Sequence, residues 1–568
     1  MTDYASTFRR AVQDAILSAA EDLYNAGEIP AVPTGSFVLE TPADRKNGNL
    51  SANAAMAWAR ELRRPPRKTA EALAAQIAAS PFGKQNFEKI EAAGAGFLNF
   101  YFGQGYYAAL LAEVSAAGKA WGRSDYGQGE RINVEFVSAN PTGPMHMGNA
   151  RGGALGDCLA AILEAAGYST AREFYVNDAG NQIEKYGMSI DARYRQIFDP
   201  AVAVPEKGYQ GEDVAVRAKS YAAIHGDALL RATEEERKKT LTDYAIPLNI
   251  ADMHSMMDKY RVYYDTWYHE SALYASGAVD AVIALMQEKG LTYEAEGALW
   301  YKASEHGGEK DEVLVRANGI PTYFAADIAY HKNKFERGFS RCINVWGADH
   351  HGHVARMKGA LDAIGLDGSK LDIILMQLVR LTRGGEVVKM SKRTGKAITL
   401  VDLLEEIPVD AVRFLFNMRA PESQMDFDLD LAVEQSAQNP VYYCQYAHAR
   451  ICSIFRKLAE EGVLPADWTP AAGLPYAERL TAPEEQELTA KLGTLPSEII
   501  EAAKAYNPAA ITRYCMDLAA LFHKFYTACR VRCAEEALMF ARLTLCAAVR
   551  DTVAGILTMF KIDVPDSM

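Results

Sequence analysis

Between about residue 125 and residue 400, short apolar runs alternate with segments of helical spacing, and no other feature limits the fold as tightly. Ile132 to Val137 is such a run. Ala150 to Ala166 then carries Leu155, Leu159, Ile162 and Leu163 on one helical stripe, with Gly167 as its stop. Cys342 to Trp346 followed by Val354 to Ile364 repeats the pattern, and Ile373 to Leu381 is a further strand candidate. Strands alternating with helices predict a parallel, doubly wound sheet buried on both faces. Between about 180 and 300 the alternation lapses into polar, helix-rich sequence, including Glu234 to Lys239, which reads as an insertion. Residues 1 to about 120 combine helical patterns with a compact α+β signature ending at Gly94 to Phe100. From Val401 onward strands nearly vanish. Asn439 to Leu458 and Pro508 to Cys533 have helical spacing, so the tail reads as a helix bundle, with the Pro- and Ala-rich stretch Leu464 to Thr481 as an inter-helix loop. The expected boundaries are 1–122, 123–400 with the insertion at about 180–300, a connecting segment 401–435, and 436–568.

Bulk properties are compatible with that division. A chain of 568 residues suggests three to four domains at ~150 residues each. It holds no run of ~18 apolar residues, so no membrane span is expected. Met1 to Ser6 carries acid early and no apolar secretory core, which argues against export. The eight cysteines include no Cys-x-x-Cys pair, and Cys529 and Cys533, one turn apart, read as buried thiols. Scattered reduced thiols in a signal-free chain point to a cytosol. The net charge of −13 argues weakly against nucleic acid. The charge is uneven, however: Ser436 to Met568 holds 13 Lys/Arg against 15 Asp/Glu and could carry a local basic face.

Two short motifs carry chemistry. The first follows Val134 to Ser138, where Pro141, Gly143 and Pro144 enforce a turn into His146-Met147-Gly148-Asn149 and a helix. Helix N-termini attract phosphate through free N–H groups and the macrodipole. His146 can donate to a phosphate oxygen, and Gly148, without a side chain, lets a flat base approach the backbone. A lone His-x-Gly-x is weak evidence. The second motif, Lys389-Met390-Ser391-Lys392-Arg393, sits in a glycine-flanked loop with three cations in five residues. Lysines on a closing loop can stabilise charge that builds on a triphosphate during adenylyl transfer. Together the two read as halves of one ATP site.

The pair resembles the signatures of class I aminoacyl-tRNA synthetases, and over essentially its whole length the chain resembles the arginyl-tRNA synthetases. Asn47 to Asn53, Gly94 to Phe100, Glu135 to Asn140, Gly319 to His331, Trp346 to Gly352, Asn439 to Arg450 and Phe522 to Tyr526 with Arg530-Val531 carry the likeness. The resemblance implies a multidomain α/β protein: a Rossmann-type parallel-sheet catalytic domain with an inserted helical segment, an N-terminal α+β domain that contacts tRNA, and a C-terminal all-α anticodon-binding bundle. It implies ATP-dependent activation of L-arginine to arginyl-adenylate, then transfer to the 3′ end of tRNA(Arg). His146, Asn149, Lys389 and Lys392 would be catalytic. His146, Gly148, Asn149, Gly347, Asp349, His350, Met390 and Ser391 would bind ATP. Mg²⁺ would ride mainly on the ATP phosphates, with no metal held by the protein. Related enzymes need tRNA bound before they activate arginine, and the same is expected here. Some relatives with a degenerate loop place a compensating lysine before the first motif. Here Thr142-Gly143-Pro144 holds none and both loop lysines are present, so the loop is the expected source of cations.

A guanidinium needs carboxylates in planar geometry, and Asp327 and Glu135 are candidates. Tyr323, four residues before Asp327, shares its helical face. By the resemblance, Asp327 and Tyr323 would read the guanidinium, with Glu135, Ser138 and Asn140 near the other polar groups. A helix-capping role is the alternative for Asp327. His350 and His351 lack a third ligand at useful spacing, so a metal site is not read there. In the bundle, Tyr446 could stack on a base or sit in the core beside Tyr442, while Arg450 and Arg530 suit a base or phosphate. The resemblance places the terminal Met568 near the anticodon pocket. A monomer with no membrane association is expected. Two rivals remain: another class I synthetase, disfavoured where it would need a zinc-binding cysteine cluster, and a non-catalytic tRNA-binding paralogue, disfavoured by the intact His146 and loop lysines.

Overall fold

In the computed structural model, residues 4–388, 398–465 and 467–568 are described. The Lys389, Met390, Ser391 and Lys392 expectations therefore lie outside the described residues.

The alternating segment forms a five-stranded sheet, parallel throughout: β1 (Arg131–Glu135), β2 (Ser169–Val176), β3 (Thr266–His269), β4 (Arg341–Gly347) and β5 (Leu371–Met376), in the spatial order β5-β4-β1-β2-β3. Side chains alternate across it. Ile132, Val134, Phe174, Ile343 and Val345 join the core shared with α1 (Met147–Ala165), while Tyr175, Cys342 and Leu371 join the core under α2 (Tyr323–Glu336) and α3 (His351–Ile364). The period of two also sends Asn133, Glu135 and Glu173 to the α2 side, where all three are buried.

Two expectations change. The run Ile373 to Leu381 is not one strand: β5 ends at Met376, and Val379–Arg383 joins a separate three-stranded sheet with Glu386–Val388 and Met425–Asp428. The stretch at about 180–300 is not wholly helical either. Helices Gly180–Phe198, Glu212–His225 and Glu234–Lys259 share a small core of their own, but Thr266–His269 returns as the edge strand β3. Four residues leave too short an apolar run for the period to show. A second small antiparallel sheet, Thr292–Ala295, Ala298–Tyr301 and Glu312–Val315, precedes α2.

At the N-terminus a four-stranded antiparallel sheet (Leu39–Glu40, Leu50–Ala52, Phe87–Ala93, Phe97–Phe102) packs with the helices Tyr4–Asn25 and Pro66–Ala79. The C-terminal bundle holds α4 (Pro440–Glu460) and the helices Pro483–Gly493, Leu495–Lys504, Ala509–Ala528 and Glu536–Met559. One apolar core runs through the N-terminal domain, the α1 face of the sheet and the bundle. Trp121 Nε1 stitches the first to the last by donating to the Leu492 carbonyl at 2.8 Å. Six of the eight cysteines are buried, and all are free.

Candidate active site

The strand order reverses between β1 and β4, and an open parallel sheet leaves a crevice at the carboxyl ends of its strands there. A cavity of about 860 Å³ occupies that position. It gathers all five residues expected around an amino acid (Glu135, Ser138, Asn140, Tyr323 and Asp327) together with Gly347 and His350.

Its floor is built by α2. Lys334, on the buried face of that helix, donates to Glu135 Oε2 at 2.5 Å and to Asn344 Oδ1 at 2.9 Å. Tyr330 and Arg337 meet Glu173 of β2, the first at 2.6 Å and the second through paired bonds of 2.7 and 2.8 Å. Burial alone would raise the Glu173 carboxyl, but Arg337, Lys334 and Tyr330 hold it below the usual carboxylate range. These anchors fix α2 on the sheet and thereby fix Tyr323 and Asp327, one turn apart at its start. His331 lies among them: its Nδ1 donates to the Asp327 carbonyl at 2.8 Å and its Nε2 accepts from Asn344 at 2.8 Å. Burial pushes its pKa down to about 4, so the ring is neutral.

Glu135 is not an open carboxylate. Besides Lys334 it accepts from Ser138 Oγ at 2.9 Å, and it is only 6% exposed. Ser138 Oγ in turn accepts from the Tyr175 amide at 3.1 Å. Val137 and Ser138 take left-handed backbone angles here, φ 70° and 39°. A β-branched valine rarely goes there, and such strain concentrates at ligand sites. Asp327 is more open: Oδ2 accepts from His353 Nε2 at 3.0 Å, and the side chain stays 33% exposed. The Tyr323 hydroxyl accepts from the Asn181 and Gln182 amides, and burial pushes its pKa up. Gly180, at φ +72°, makes room for that ring: a Cβ there would lie 3.3 Å from it.

A second cavity of about 350 Å³ shares Asn140 with the first and is lined by His146, Asn149, Tyr209 and Asp213. His146 caps α1: its Nδ1 accepts from the Gly148 amide at 3.2 Å, while Asn149 Oδ1 accepts from the His146 amide at 3.0 Å. With Nδ1 accepting, the neutral ring carries its proton on Nε2 and can donate only there. Burial lowers the His146 pKa and keeps the ring neutral. Gly148 serves the motif itself: a Cβ would stand 3.1 Å from His146 Cε1. The described residues that flank the second motif approach the first. Val388 ends the hairpin strand Glu386–Val388, and on the far side Thr399 bridges to His146 while Leu400 donates to the Met145 carbonyl at 2.9 Å.

Asp349 lies apart from both cavities, its side chain 84% exposed and 3.8 Å from His350. In the bundle, the Arg450 guanidinium lies 4.5 Å from the Tyr526 ring and 5.5 Å from the Tyr446 ring. Tyr442 and Tyr446 share a face of α4, nearly parallel at 6.4 Å. Arg530 and Met568 are exposed. The chain end follows α4, where the Pro565 carbonyl accepts from His448 at 3.0 Å and the Asp566 carbonyl from Arg456 at 3.0 Å.

Sequence reasoning missed Glu270, Lys334 and His353. Glu270 directly follows β3 and is 1% exposed. Neither oxygen finds a partner at full hydrogen-bond geometry among the described residues. Burial, then Asp327 and Asp178, push its pKa up to about 8, although the Tyr175 and Tyr274 hydroxyls work against the rise. A buried carboxyl near Asp327, with no cation among its described neighbours, is suited to a cationic guest. Nothing local in Trp267-Tyr268-His269-Glu270 marks it, since its setting comes from β3 joining the sheet.

Comparison with known proteins is consistent with this arrangement. Residues 6–102 match the family model described as the arginyl tRNA synthetase N terminal domain. Residues 114–453 match the class I (R) tRNA synthetase catalytic domain, and residues 444–568 the DALR anticodon binding domain. The arginine–tRNA ligase of Caldanaerobacter subterraneus subsp. tengcongensis is 50% identical over all of both chains. That of Ruminiclostridium cellulolyticum is 48% identical, again over all of both. The Thermus thermophilus arginyl-tRNA synthetase shares the fold, with a TM-score of 0.69 and 24% identity over 99% of this chain and 100% of that one.

Proposed function

This chain belongs to the class I arginyl-tRNA synthetase family, and from that premise we propose how its two cavities divide the work of arginine–tRNA ligation. L-Arginine occupies the larger cavity, its guanidinium directed to Asp327, Tyr323 and Glu270, and its polar backbone groups toward Ser138 and Asn140. ATP lies over the start of α1, with Gly347 and His350 on the nucleotide side, and carries Mg²⁺ on its phosphates. The arginine carboxylate attacks the α-phosphorus in line, and the bond to pyrophosphate breaks. The terminal hydroxyl of tRNA(Arg) then attacks the adenylate carbonyl and releases AMP. No protein nucleophile is needed. Catalysis is positioning plus charge stabilisation by the His146 Nε2–H, Asn149, Lys389 and Lys392. Tyr446, Arg450, Arg530 and Met568 would face tRNA, and the chain would act as a monomer in the cytoplasm. Among the described residues no helix is long and apolar enough to cross a membrane.

The single observation that supports arginine most directly is Glu270: a buried carboxyl near Asp327, met by the Tyr175 and Tyr274 hydroxyls and by no cation among the described residues, invites a permanent cation. The test is aminoacylation of tRNA with each amino acid in turn. Arginine alone should be charged, and ATP–pyrophosphate exchange should require tRNA. Charging of a different amino acid would overturn the assignment of the pocket.

A further inference from the structure

Asp327 is held by a chain of side chains from two other elements. Glu312, at the start of the strand Glu312–Val315, accepts from Arg356 Nη1 at 2.5 Å. Arg356 Nε donates to His353 Nδ1 at 2.7 Å, and His353 Nε2 stands 3.0 Å from Asp327 Oδ2. The order of donors admits one assignment. Arginine only donates, so His353 Nδ1 accepts and its proton sits on Nε2, directed at the carboxylate. All four residues line the large cavity. Packing limits their freedom: Phe324 lies 5.8 Å beneath the Arg356 guanidinium, and the Trp346 ring lies 5.3 Å from that of His353.

We propose that the Glu312–Arg356–His353 relay is a positioning device that fixes the plane of the Asp327 carboxylate, and that it thereby sets the preference for a guanidine over an ammonium side chain. This rests on arginine being the substrate. The terminal torsion of an aspartate is soft. One donor held at Oδ2 removes that freedom and leaves Oδ1 and the second lone pair of Oδ2 facing the cavity in one plane. A guanidinium is a rigid planar fork and needs both acceptors coplanar with it, whereas an ammonium is a point charge with rotatable donors and is indifferent to the plane. Loosening the relay therefore costs a guanidine more than an ammonium of equal charge. The relay also ties three elements, α2, α3 and the strand Glu312–Val315, to one carboxylate. Among the described residues the partners of Arg356 are Glu312, His353 and the Phe324 ring, none of them in the expected ATP site, so the effect should fall mainly on the amino acid.

The test uses Arg356→Lys, which keeps the charge but cannot offer a planar Nε–H, and His353→Asn, in the full-length enzyme. In arginylation of tRNA(Arg), both should raise KM for arginine about tenfold or more, with kcat and KM for ATP within about threefold of wild type. Competitive inhibition by agmatine, a guanidine without a carboxylate, should weaken in step, while inhibition by 1,5-diaminopentane stays unchanged. Glu312→Gln, which keeps an acceptor for Arg356, should remain within about threefold of wild type, and Glu312→Ala should follow Arg356→Lys. Should Arg356→Lys fail to melt cooperatively, His353→Asn and Glu312→Ala carry the comparison. An unchanged arginine KM, an equal loss for agmatine and diaminopentane, or an ATP KM that rises in step would overturn the relay. Failure of wild type to charge arginine would instead strike the assigned function.

Discussion

At the scale of single residues, the site turns on who owns each proton. Glu270 is held up to about 8, because burial and the Asp327 and Asp178 carboxylates disfavour its charge. On the proposed placement a guanidinium would reverse that balance, and the carboxyl would give up its proton as arginine binds. Arginine affinity should therefore climb as pH rises toward about 8, by up to roughly tenfold per pH unit, and level off above. Calorimetry in buffers of different ionisation enthalpy would read the released proton. Glu270→Gln should flatten the profile and weaken arginine, and an unaltered slope would remove Glu270 from the pocket. His146 is the opposite case: kept neutral by burial and by the Gly148 amide on Nδ1, it offers one donor at Nε2. His146→Ala should lower kcat by about 10²-fold. Gly148→Ala, whose Cβ would meet the imidazole at 3.1 Å, should lower kcat with little change in melting temperature. His-x-Gly-x was legible in the sequence as a phosphate-facing turn. The reason for its glycine was not, because the atom it makes room for belongs to the motif's own histidine.

At the scale of elements, α2 shows how a helix is aimed. Its amphipathic pattern is readable, and so is the shared face of Tyr323 and Asp327. Which lysine of Lys332 and Lys334 is buried depends on the register of β1 and β4 beneath it, which places Glu135 and Asn344 under Lys334 and leaves Lys332 paired with Glu336 on the outside. Lys334→Met would strand Glu135 without a cation and should cost about 3–5 kcal/mol in chemical denaturation. An added Glu135→Gln should recover part of that stability without restoring activity. The Lys389–Lys392 loop belongs to the same scale. Its described flanks are fixed by the hairpin ending at Val388 and by the Thr399–His146 bridge at the start of α1. Lys392→Ala should lower adenylate formation by about 10²–10³-fold with arginine KM nearly unchanged. An unchanged rate would end the loop's assigned role.

At the scale of the molecule, the bundle and the sheet meet at one buried cation. Arg413 is fully buried: it donates to the Phe560 carbonyl at 2.7 Å and to the Tyr260 carbonyl at 3.1 Å, and it pairs with Asp157 of α1. Burial alone would raise Asp157, but Arg413, Lys561 and Arg172 hold it below the usual carboxylate range. The helix whose start carries His146 is thus pinned to the end of the chain. Arg413→Met should lower stability by about 3–5 kcal/mol and separate the melting of the bundle from that of the sheet. A single unshifted transition would show the junction to be dispensable. The sequence by itself determined the order of domains, the parallel sheet and the two motifs, because strand and helix periods, turn residues and local charge are properties of neighbours along the chain. The edge strand Thr266–His269, the buried carboxyl of Glu270 and the relay behind Asp327 were decided only by tertiary structure. Each depends on which buried groups the sheet order and helix packing bring together across tens to hundreds of residues, and no local pattern records that.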